Sequence, residues 1–274
     1  MRLDLHCHST CSDGSLNPTE LAKRALARGV ELFSLTDHDT TAGSAEVVAA
    51  LGEGVRVLRG VELSCHEHGK TVHLLMFDVA ADERWCLVED KLTEMKAQRR
   101  TRIFEMAALL EQRGLPIDAD AIIERAGGNS VGRPHIARAL VAAGWLTSTS
   151  EAFDRYLYDG GPADVPIKRL SVGDGVELGR SAGARMSIAH PHTLGQIVAN
   201  KLYDSYRDSG LDGIEAYYGM YSSAQRKHWL ECARRHDLTV TAGSDFHGDM
   251  VRKVKEPVID VPEYVSDRLI DWLG

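Results

Sequence analysis

The sequence predicts an α/β fold built around a closed or nearly closed barrel of parallel strands. Short apolar segments alternate with helical segments along most of the chain, which is typical of strand–helix units and a parallel sheet. The chain has 274 residues, 43% of them hydrophobic and 26% charged, which suffices for one barrel-sized domain with a substantial core. Seven strand candidates favour a barrel, and on this pattern alone a doubly wound open sheet is the alternative.

Each strand candidate is a short run rich in apolar residues. The seven candidates cover residues 3–5, 32–36, 55–63, 71–79, 185–189, 213–217 and 238–242. Between them lie helix signals. Asn17 and Glu20 form a capping pattern that begins a helix, Gly29 ends it, and Ser222 with Gln225 begins another helix late in the chain. The alternation of strand and helix predicts parallel strands throughout.

Residues 85–168 differ in character, because they are predicted to be mostly helical and to form an insertion that covers the mouth of the barrel. The barrel itself is then assigned to residues 1–84 and 169–274. Basic residues gather in and beside the insertion, namely Lys96, Arg99, Arg100, Arg102, Arg133, Arg138, Lys168 and Arg169. For any single arginine of this group, the simplest interpretation is a solvated helix surface.

Composition and charge exclude several classes of protein. The formal net charge of -8 argues against a dedicated DNA-binding protein, whose surface would be basic. No apolar run approaches the ~20 residues of a membrane span, and the N-terminal residues do not resemble a signal peptide. The five cysteines are odd in number and form no CxxC pair, which is typical of reduced thiols in the cytoplasm. We expect a cytoplasmic protein without an obligate protein partner.

Histidines and carboxylates recur where the predicted strands end. His6 and His8 lie two apart at the end of the first strand, so both imidazoles face one way while Cys7 faces the other. The further candidates are Asp13, His38, Glu62, His73, His190, Asp245 and His247. Because the carboxyl ends of barrel strands meet at one mouth, we expect these side chains to converge.

Nine candidate ligands exceed what a single metal ion can use. A single histidine is more often a structural residue, but packing alone does not require repetition at strand ends. Imidazole and carboxylate together suit Zn, Mn or Fe. The pattern therefore predicts two or three metal ions that share a bridging carboxylate.

Five motifs carry a resemblance to a known family. They are HCHSTCSDG at 6–14, TDHDT at 36–40, GVELS at 60–64, AHP at 189–191 and SDFH at 244–247. In this order the set resembles the PHP (polymerase and histidinol phosphatase) family over nearly the whole chain outside the insertion. The resemblance implies a distorted, TIM-like (β/α)7 barrel with a trinuclear metal site.

The resemblance also implies a ligand set for each metal. The first metal would be held by His6, His8, Glu62 and Asp245. The second would be held by Asp13, His38 and His247, and the third by His73, His190 and the other oxygen of Glu62. Asp13 stands where several relatives have a histidine, and the extra carboxylate favours Mn or Fe over Zn at the second site.

The insertion contains GRPHIA at 132–137, which is similar to the nucleotide-acting branch of the family, of the 3′,5′-nucleoside bisphosphate phosphatase type. We expect a Mn²⁺-dependent phosphatase that removes the 3′-phosphate of a nucleoside 3′,5′-bisphosphate and binds up to three ions, with Fe or Zn as alternatives. The alternatives are a 5′-to-3′ exonuclease on short RNA, a histidinol phosphatase, and a non-catalytic PHP module that only binds metal.

The expected roles of individual residues follow from this function. Asp13, His38, His247 and His192 are the candidate catalytic residues. The substrate's second phosphate needs a cationic contact outside the metal site, and Arg133 and His135 are the candidates, with Arg102 as a third. Asp37, Asp39 and Glu215 are expected to orient ligands or to move protons, although capping is an equal alternative for Asp39 and Glu215.

Overall fold

The computed structural model describes residues 1–126, 131–251 and 253–274. These residues form two compact units, a barrel unit of Met1–Asp90 with Arg169–Gly274 and a helical unit of Lys91–Lys168. Within the described ranges, no helix has both the length and the apolar character that a membrane crossing requires.

A nine-stranded sheet forms the barrel unit. The strands are β1 (Arg2–Asp4), β2 (Leu32–Leu35), β3 (Arg56–Glu67), β4 (Lys70–Asp78), β5 (Leu170–Ser171), β6 (Arg185–Ile188), β7 (Gly213–Tyr218), β8 (Thr239–Gly243) and β9 (Ile259–Asp260). Their order is β8-β7-β6-β4-β3-β2-β1-β9, with β5 beside β3. All seven segments expected from the sequence are strands. The two additional strands, β5 and β9, are only two residues long, which is too short to show a periodic pattern.

Hydrogen bonds between the residues that follow β1 and the end of β8 nearly close the sheet into a barrel. The backbone N–H of Leu5 donates to the carbonyl of Ala242 at 3.1 Å, and the N–H of Asp245 donates to the carbonyl of His6 at 2.7 Å. These bonds join the residues that follow β1 to the end of β8. The predicted distorted, TIM-like α/β barrel is therefore confirmed.

One central strand departs from the expected all-parallel sheet, because β4 runs antiparallel to both β3 and β6. His68 and Gly69, with φ angles of 50° and 74°, form the turn between β3 and β4. A turn this short can join only antiparallel strands, because a parallel crossover needs a dozen or more residues. The start of β4, which carries His73, therefore lies at the end of the barrel where the parallel strands finish.

Ten α-helices are described. They are α1 (Pro18–Ala27), α2 (Ser44–Leu51), α3 (Cys86–Glu111), α4 (Ala119–Arg125), α5 (Arg133–Ala142), α6 (Thr149–Ala152), α7 (Val172–Ser181), α8 (Gln196–Tyr206), α9 (Ser223–His236) and α10 (Glu263–Leu273). Both expected capping boxes are present, since Asn17 accepts from the N–H of Glu20 at 2.9 Å and Ser222 accepts from the N–H of Gln225 at 3.3 Å.

Each unit has an apolar core of its own. In the barrel unit, Leu21 of α1 and Val47 of α2 belong to one buried cluster with Phe33 and Leu35 of β2. In the helical unit, the buried cluster draws on helices α3 to α6 and the residues around them. It includes Ile103, Met106, Leu110, Ile122, Ile136, Leu140 and Leu157. The helical unit thus buries a core without residues from the barrel strands.

Candidate metal centre

Nine histidine and carboxylate side chains of the barrel unit converge on one small region. Within each of four overlapping groups, the potential ligand atoms all lie within 4.8 Å of one another. The groups are His8–Asp13–His38–His247, His6–His190–Asp245, His6–His8–Glu62 and His38–Glu62–His73. The nine residues are those proposed as ligands from the sequence, so the structure places the whole set at one end of the barrel.

Glu62 lies at the centre of this region and has no exposed surface. Its Oε2 lies between 2.9 and 3.3 Å from ring nitrogens of His6, His8 and His38. Its Oε1 lies 2.8 Å from Nδ1 of His73 and 2.9 Å from Nε2 of His190. The two oxygens therefore face two different sets of imidazoles, which is the arrangement expected of a carboxylate that bridges metal ions.

Four atoms at this centre are buried and lack a hydrogen-bond partner among the described residues. They are Nε2 of His6, Nε2 of His8, Nδ1 of His38 and Oε2 of Glu62. Leaving a buried polar atom without a partner costs free energy, so such atoms usually have an unseen partner. All four are atoms that can ligate a metal, and they point at one another. The donor set thus fits a transition-metal ion.

The Glu62 carboxylate and the imidazoles around it stabilise each other's charged forms. Burial alone would raise the pKa of Glu62, but the imidazoles of His38 and His6 outweigh burial and hold it well below its usual range. Burial would lower the pKa of His38, and the charge of Glu62 instead raises it to about 9. The carboxylate therefore stays ionised and attracts positive charge, either protons on the imidazoles or metal cations.

A second carboxylate, Glu215 of β7, accepts hydrogen bonds from two of the candidate ligand residues, His6 and His190. It is fully buried. Its Oε1 accepts a hydrogen bond from Nδ1 of His6 at 2.9 Å, and its Oε2 accepts from the backbone N–H of His190 at 2.7 Å. Because an ionised carboxylate can only accept, it fixes the proton of His6 on Nδ1 and leaves the Nε2 lone pair directed into the centre.

Asp37 supports the loop that carries Asp13. It accepts hydrogen bonds from the backbone N–H and the hydroxyl of Ser9, at 2.7 and 2.6 Å, and from the hydroxyl of Ser12 at 2.5 Å. The Ser12 hydroxyl also lies 3.4 Å from Nδ1 of His8. Asp37 is thereby linked through Ser12 to a ligand candidate, in the orienting position suggested for it by the sequence.

Asp39 has a different role. Its Oδ1 accepts a hydrogen bond from the backbone N–H of Ser64 at 2.8 Å and so connects the segment after β2 to β3. Its φ of 52° is positive, as are the φ angles of His190 at 28° and Asp245 at 54°. Non-glycine residues rarely adopt such angles, and strain of this kind concentrates at functional sites.

The candidate catalytic residue His192 lies beside the ligands. Its Nδ1 is 3.2 Å from the Tyr221 hydroxyl, and its ring centroid is 6.2 Å from that of His190. Partial burial lowers the pKa of His192, and the neighbouring His190 lowers it further. These influences favour the neutral imidazole.

The three candidate substrate contacts, by contrast, belong to the helical unit. Arg102 donates to Asp164 at 3.0 Å and to the Val165 carbonyl at 2.5 Å. Arg133 donates from Nη1 to Asp159 at 2.6 Å and lies 4.0 Å from Asp164. His135 accepts from the backbone N–H of Gly132 at 3.3 Å and so caps the start of α5. Arg102 and Arg133 thus both lie next to the Asp164 carboxylate.

Two residues with evident roles at the centre are absent from the sequence-based set. Tyr218 donates to Asp245 at 2.7 Å. Asp4 is fully buried and accepts from the backbone N–H groups of His6, Ser244 and Val258. Asp4 lies two positions before His6, on the strand that the HCH motif follows, and this proximity is the only signal for it in the sequence.

Comparison with known proteins places this centre in a family. A model of the PHP domain matches residues 4–123. A 5′-3′ exoribonuclease of Haemophilus influenzae is 37% identical over 252 residues, covering 90% of each chain. The chain belongs to the PHP family. The resemblance seen in the sequence motifs is thus confirmed.

Two further relatives extend the comparison. A 3′,5′-nucleoside bisphosphate phosphatase of Chromobacterium violaceum is 34% identical over 89% of this chain and 87% of its own length. A structure from Bifidobacterium adolescentis, assigned as a metal-dependent phosphoesterase, superposes with a TM-score of 0.75 at 31% identity, covering 99% of this chain and 95% of the other. This PHP-family chain is a phosphoesterase. The two curated relatives described above differ in the substrate that their names give, which is RNA for one and a nucleotide for the other.

The geometry predicts that Glu62→Gln loses metal. The amide keeps the size of the side chain but removes the central charge, and one of its atoms can no longer ligate. Loss of an orienting partner alone typically costs 10- to 100-fold in affinity, so removal of a bridging ligand should weaken binding by at least about 100-fold. Equilibrium dialysis against Mn²⁺ with elemental analysis measures this effect.

Glu67→Gln is the matched control, because Glu67 lies on the same strand and accepts from the Tyr206 hydroxyl at 3.0 Å, outside the nine-residue set. The control should retain the metal content of the native chain. Equal metal content in native chain and Glu62→Gln would contradict the central place given to Glu62.

Proposed function

We propose that this chain is a Mn²⁺-dependent phosphatase that removes the 3′-phosphate from a nucleoside 3′,5′-bisphosphate, releasing a 5′-monophosphate and inorganic phosphate. The observation that carries the proposal is the buried Glu62, whose two oxygens face separate sets of imidazoles. The relative named as a 3′,5′-nucleoside bisphosphate phosphatase supports this substrate.

Three groups of residues would hold the ions. His6, His8, Glu62 and Asp245 would bind the first, Asp13, His38 and His247 the second, and His73, His190 and Glu62 the third. Divalent ions held in this way activate a water molecule and neutralise charge on the phosphoryl group. The three carboxylates Asp13, Glu62 and Asp245 offset only part of a charge of up to +6, so a phosphate dianion is attracted electrostatically.

Exposure indicates where substrate meets the centre. The side chain of Asp13 is 55% exposed and that of His38 is 22% exposed, whereas those of His6, His8 and Glu62 are fully buried. Substrate and water would therefore approach from the Asp13 side. Asp13 and His38 lie at this open edge, and Nε2 of the more buried His247 lies 3.4 Å from Oδ1 of Asp13, so catalytic roles are proposed for these three residues.

The remaining side chains orient and protect the ligands. Glu215 fixes the tautomer of His6, and Asp37 with Ser12 supports His8 and the Asp13 loop. The neutral imidazole of His192 lies beside His190 and would relay a proton from solvent to the leaving oxygen of the substrate. The carboxylate of Asp13 at the second site, beside two imidazoles, favours Mn²⁺ over Zn²⁺, with Fe as the alternative.

A second candidate function is supported by the relative named as a 5′-3′ exoribonuclease. Hydrolysis of a phosphodiester in RNA would use the same ligands, because the in-line displacement at phosphorus is the same step with a different leaving oxygen. Both activities would therefore require Glu62, and only the substrate distinguishes them.

One experiment separates these functions. The protein, loaded with Mn²⁺, is incubated with a 3′,5′-bisphosphate, a 3′-monophosphate, histidinol phosphate and a 5′-phosphorylated RNA oligonucleotide, and released phosphate and nucleotides are quantified. We expect the highest kcat/KM on the bisphosphate, with 5′-monophosphate and phosphate formed in equal amounts. Faster release of mononucleotides from RNA would instead establish the exonuclease, and no turnover of any substrate would indicate a non-catalytic module.

Arg133 is proposed to grip the phosphate that is not hydrolysed, together with His135. Both described hydrogen bonds of Arg133 use Nη1, so Nε and Nη2 remain for a second, bidentate contact. Arg102, which donates to Asp164 and to the Val165 carbonyl, is the third candidate. Losing a hydrogen bond to a charged group costs about 1.5–3 kcal/mol, and each factor of ten corresponds to about 1.4 kcal/mol.

Arg133→Ala should therefore lower kcat/KM on the bisphosphate roughly 10- to 100-fold, with little effect on a nitrophenyl phosphate monoester. Arg138→Ala on the same helix is the control, because that side chain is exposed. Melting temperatures of the variants exclude a loss caused by the broken Arg133–Asp159 ion pair. An equal loss on both substrates, or none on either, would reject Arg133 as the specificity contact.

A further inference from the structure

The two carboxylate oxygens of Asp245 have different partners. Oδ1 lies 3.2 Å from Nε2 of His8 and 3.3 Å from Nε2 of His6, among the ligand atoms that lack hydrogen-bond partners within the described chain. Oδ2 accepts a hydrogen bond from the hydroxyl of Tyr218 at 2.7 Å. One oxygen thus faces the metal centre, while the other is occupied by a phenol.

A β-bulge delivers Tyr218 to this position. In β7, Glu215 pairs with Thr241, but Tyr217 pairs with Ala242, so one extra residue is accommodated between them. Without the bulge, side chains would alternate and residue 218 would face away from the side that Glu215 faces. The extra residue reverses the alternation, and both Glu215 and Tyr218 contact residues of the metal centre.

The surroundings hold the phenol in place. Tyr218 is only 3% exposed. Its ring centroid lies 4.9 Å from that of Tyr221, 5.4 Å from that of His192 and 5.9 Å from that of His190. Because these rings fill the space around it, the hydroxyl has little freedom to leave Asp245.

The backbone of Asp245 is fixed as well. Its N–H donates to the carbonyl of His6 at 2.7 Å, and its φ is 54°. Gly219 lets the chain after Tyr218 approach closely, since a Cβ there would lie 2.3 Å from the Ser244 carbonyl oxygen. Donor and acceptor of the Tyr218–Asp245 bond are therefore both carried on constrained segments.

We propose that Tyr218 is a positioning residue that occupies one oxygen of Asp245 and so makes this carboxylate a one-oxygen ligand of the first metal. The proposal rests on the metal centre described above and is independent of the substrate. Free of the phenol, Asp245 could rotate or chelate through both oxygens, and its Oδ1 would leave the point shared with His6 and His8.

The test is a Mn²⁺ titration of the metal-free protein, with free Mn²⁺ followed by its electron paramagnetic resonance signal. Tyr218→Phe keeps the ring and removes only the hydroxyl, and it should weaken the tightest site roughly 10-fold, as is typical for a lost orienting partner. Tyr221→Phe is the matched control, because its hydroxyl contacts His192 rather than Asp245, and it should bind Mn²⁺ as the native chain does.

A double-mutant cycle shows whether the effect passes through Asp245. In an Asp245→Ala background, Tyr218→Phe should change the affinity by less than about twofold, because the two residues act as one unit. The melting temperature of metal-free Tyr218→Phe reports any change in packing separately.

Two results would overturn the proposal. One is native Mn²⁺ affinity in Tyr218→Phe, and the other is a loss of the same size with and without Asp245. A native chain that binds no Mn²⁺ would refute the metal centre itself, which distinguishes that failure from the failure of Tyr218.

Discussion

A carboxylate with no exposed surface, Glu62, is surrounded by five imidazoles, those of His6, His8, His38, His73 and His190. Burying an unpaired charge costs several kcal/mol, and among the described residues no lysine or arginine lies within 4.0 Å of this one. Positive charge must therefore come from protons on the imidazoles or from metal ions. Since metal ions displace those protons, metal binding and imidazole protonation compete at this centre.

The residues that surround Glu62 come from parallel strands and from one antiparallel strand. Parallel strands contribute residues at their carboxyl ends, as in other barrels. The antiparallel β4 contributes His73 from near its start, because the turn at His68 and Gly69 reverses the chain beside Glu62. Behind the ligands, buried Asp4 and Glu215 fix the backbone and the imidazole tautomers through hydrogen bonds.

Much of this arrangement could be predicted from the sequence, because histidines and carboxylates recur where the predicted strands end. The direction of β4 differs from the prediction of parallel strands, because the two-residue turn at His68 and Gly69 leaves no room for a crossover helix. Tyr218 could not be predicted, because a β-bulge turns it toward Asp245. The alternation of apolar and polar residues along a strand does not reveal a bulge. The acidic partners of Arg102 and Arg133 lie 26 or more residues away in the chain, beyond the reach of local patterns.

In the proposed centre, the two oxygens of Glu62 bind separate metal ions. Anomalous diffraction at the manganese absorption edge, from crystals of the Mn²⁺-loaded protein, tests it most directly. We expect at least two anomalous peaks, lying on opposite sides of the Glu62 carboxylate and each within about 2.5 Å of one of its oxygens. A single peak, or peaks that do not contact Glu62, would contradict it.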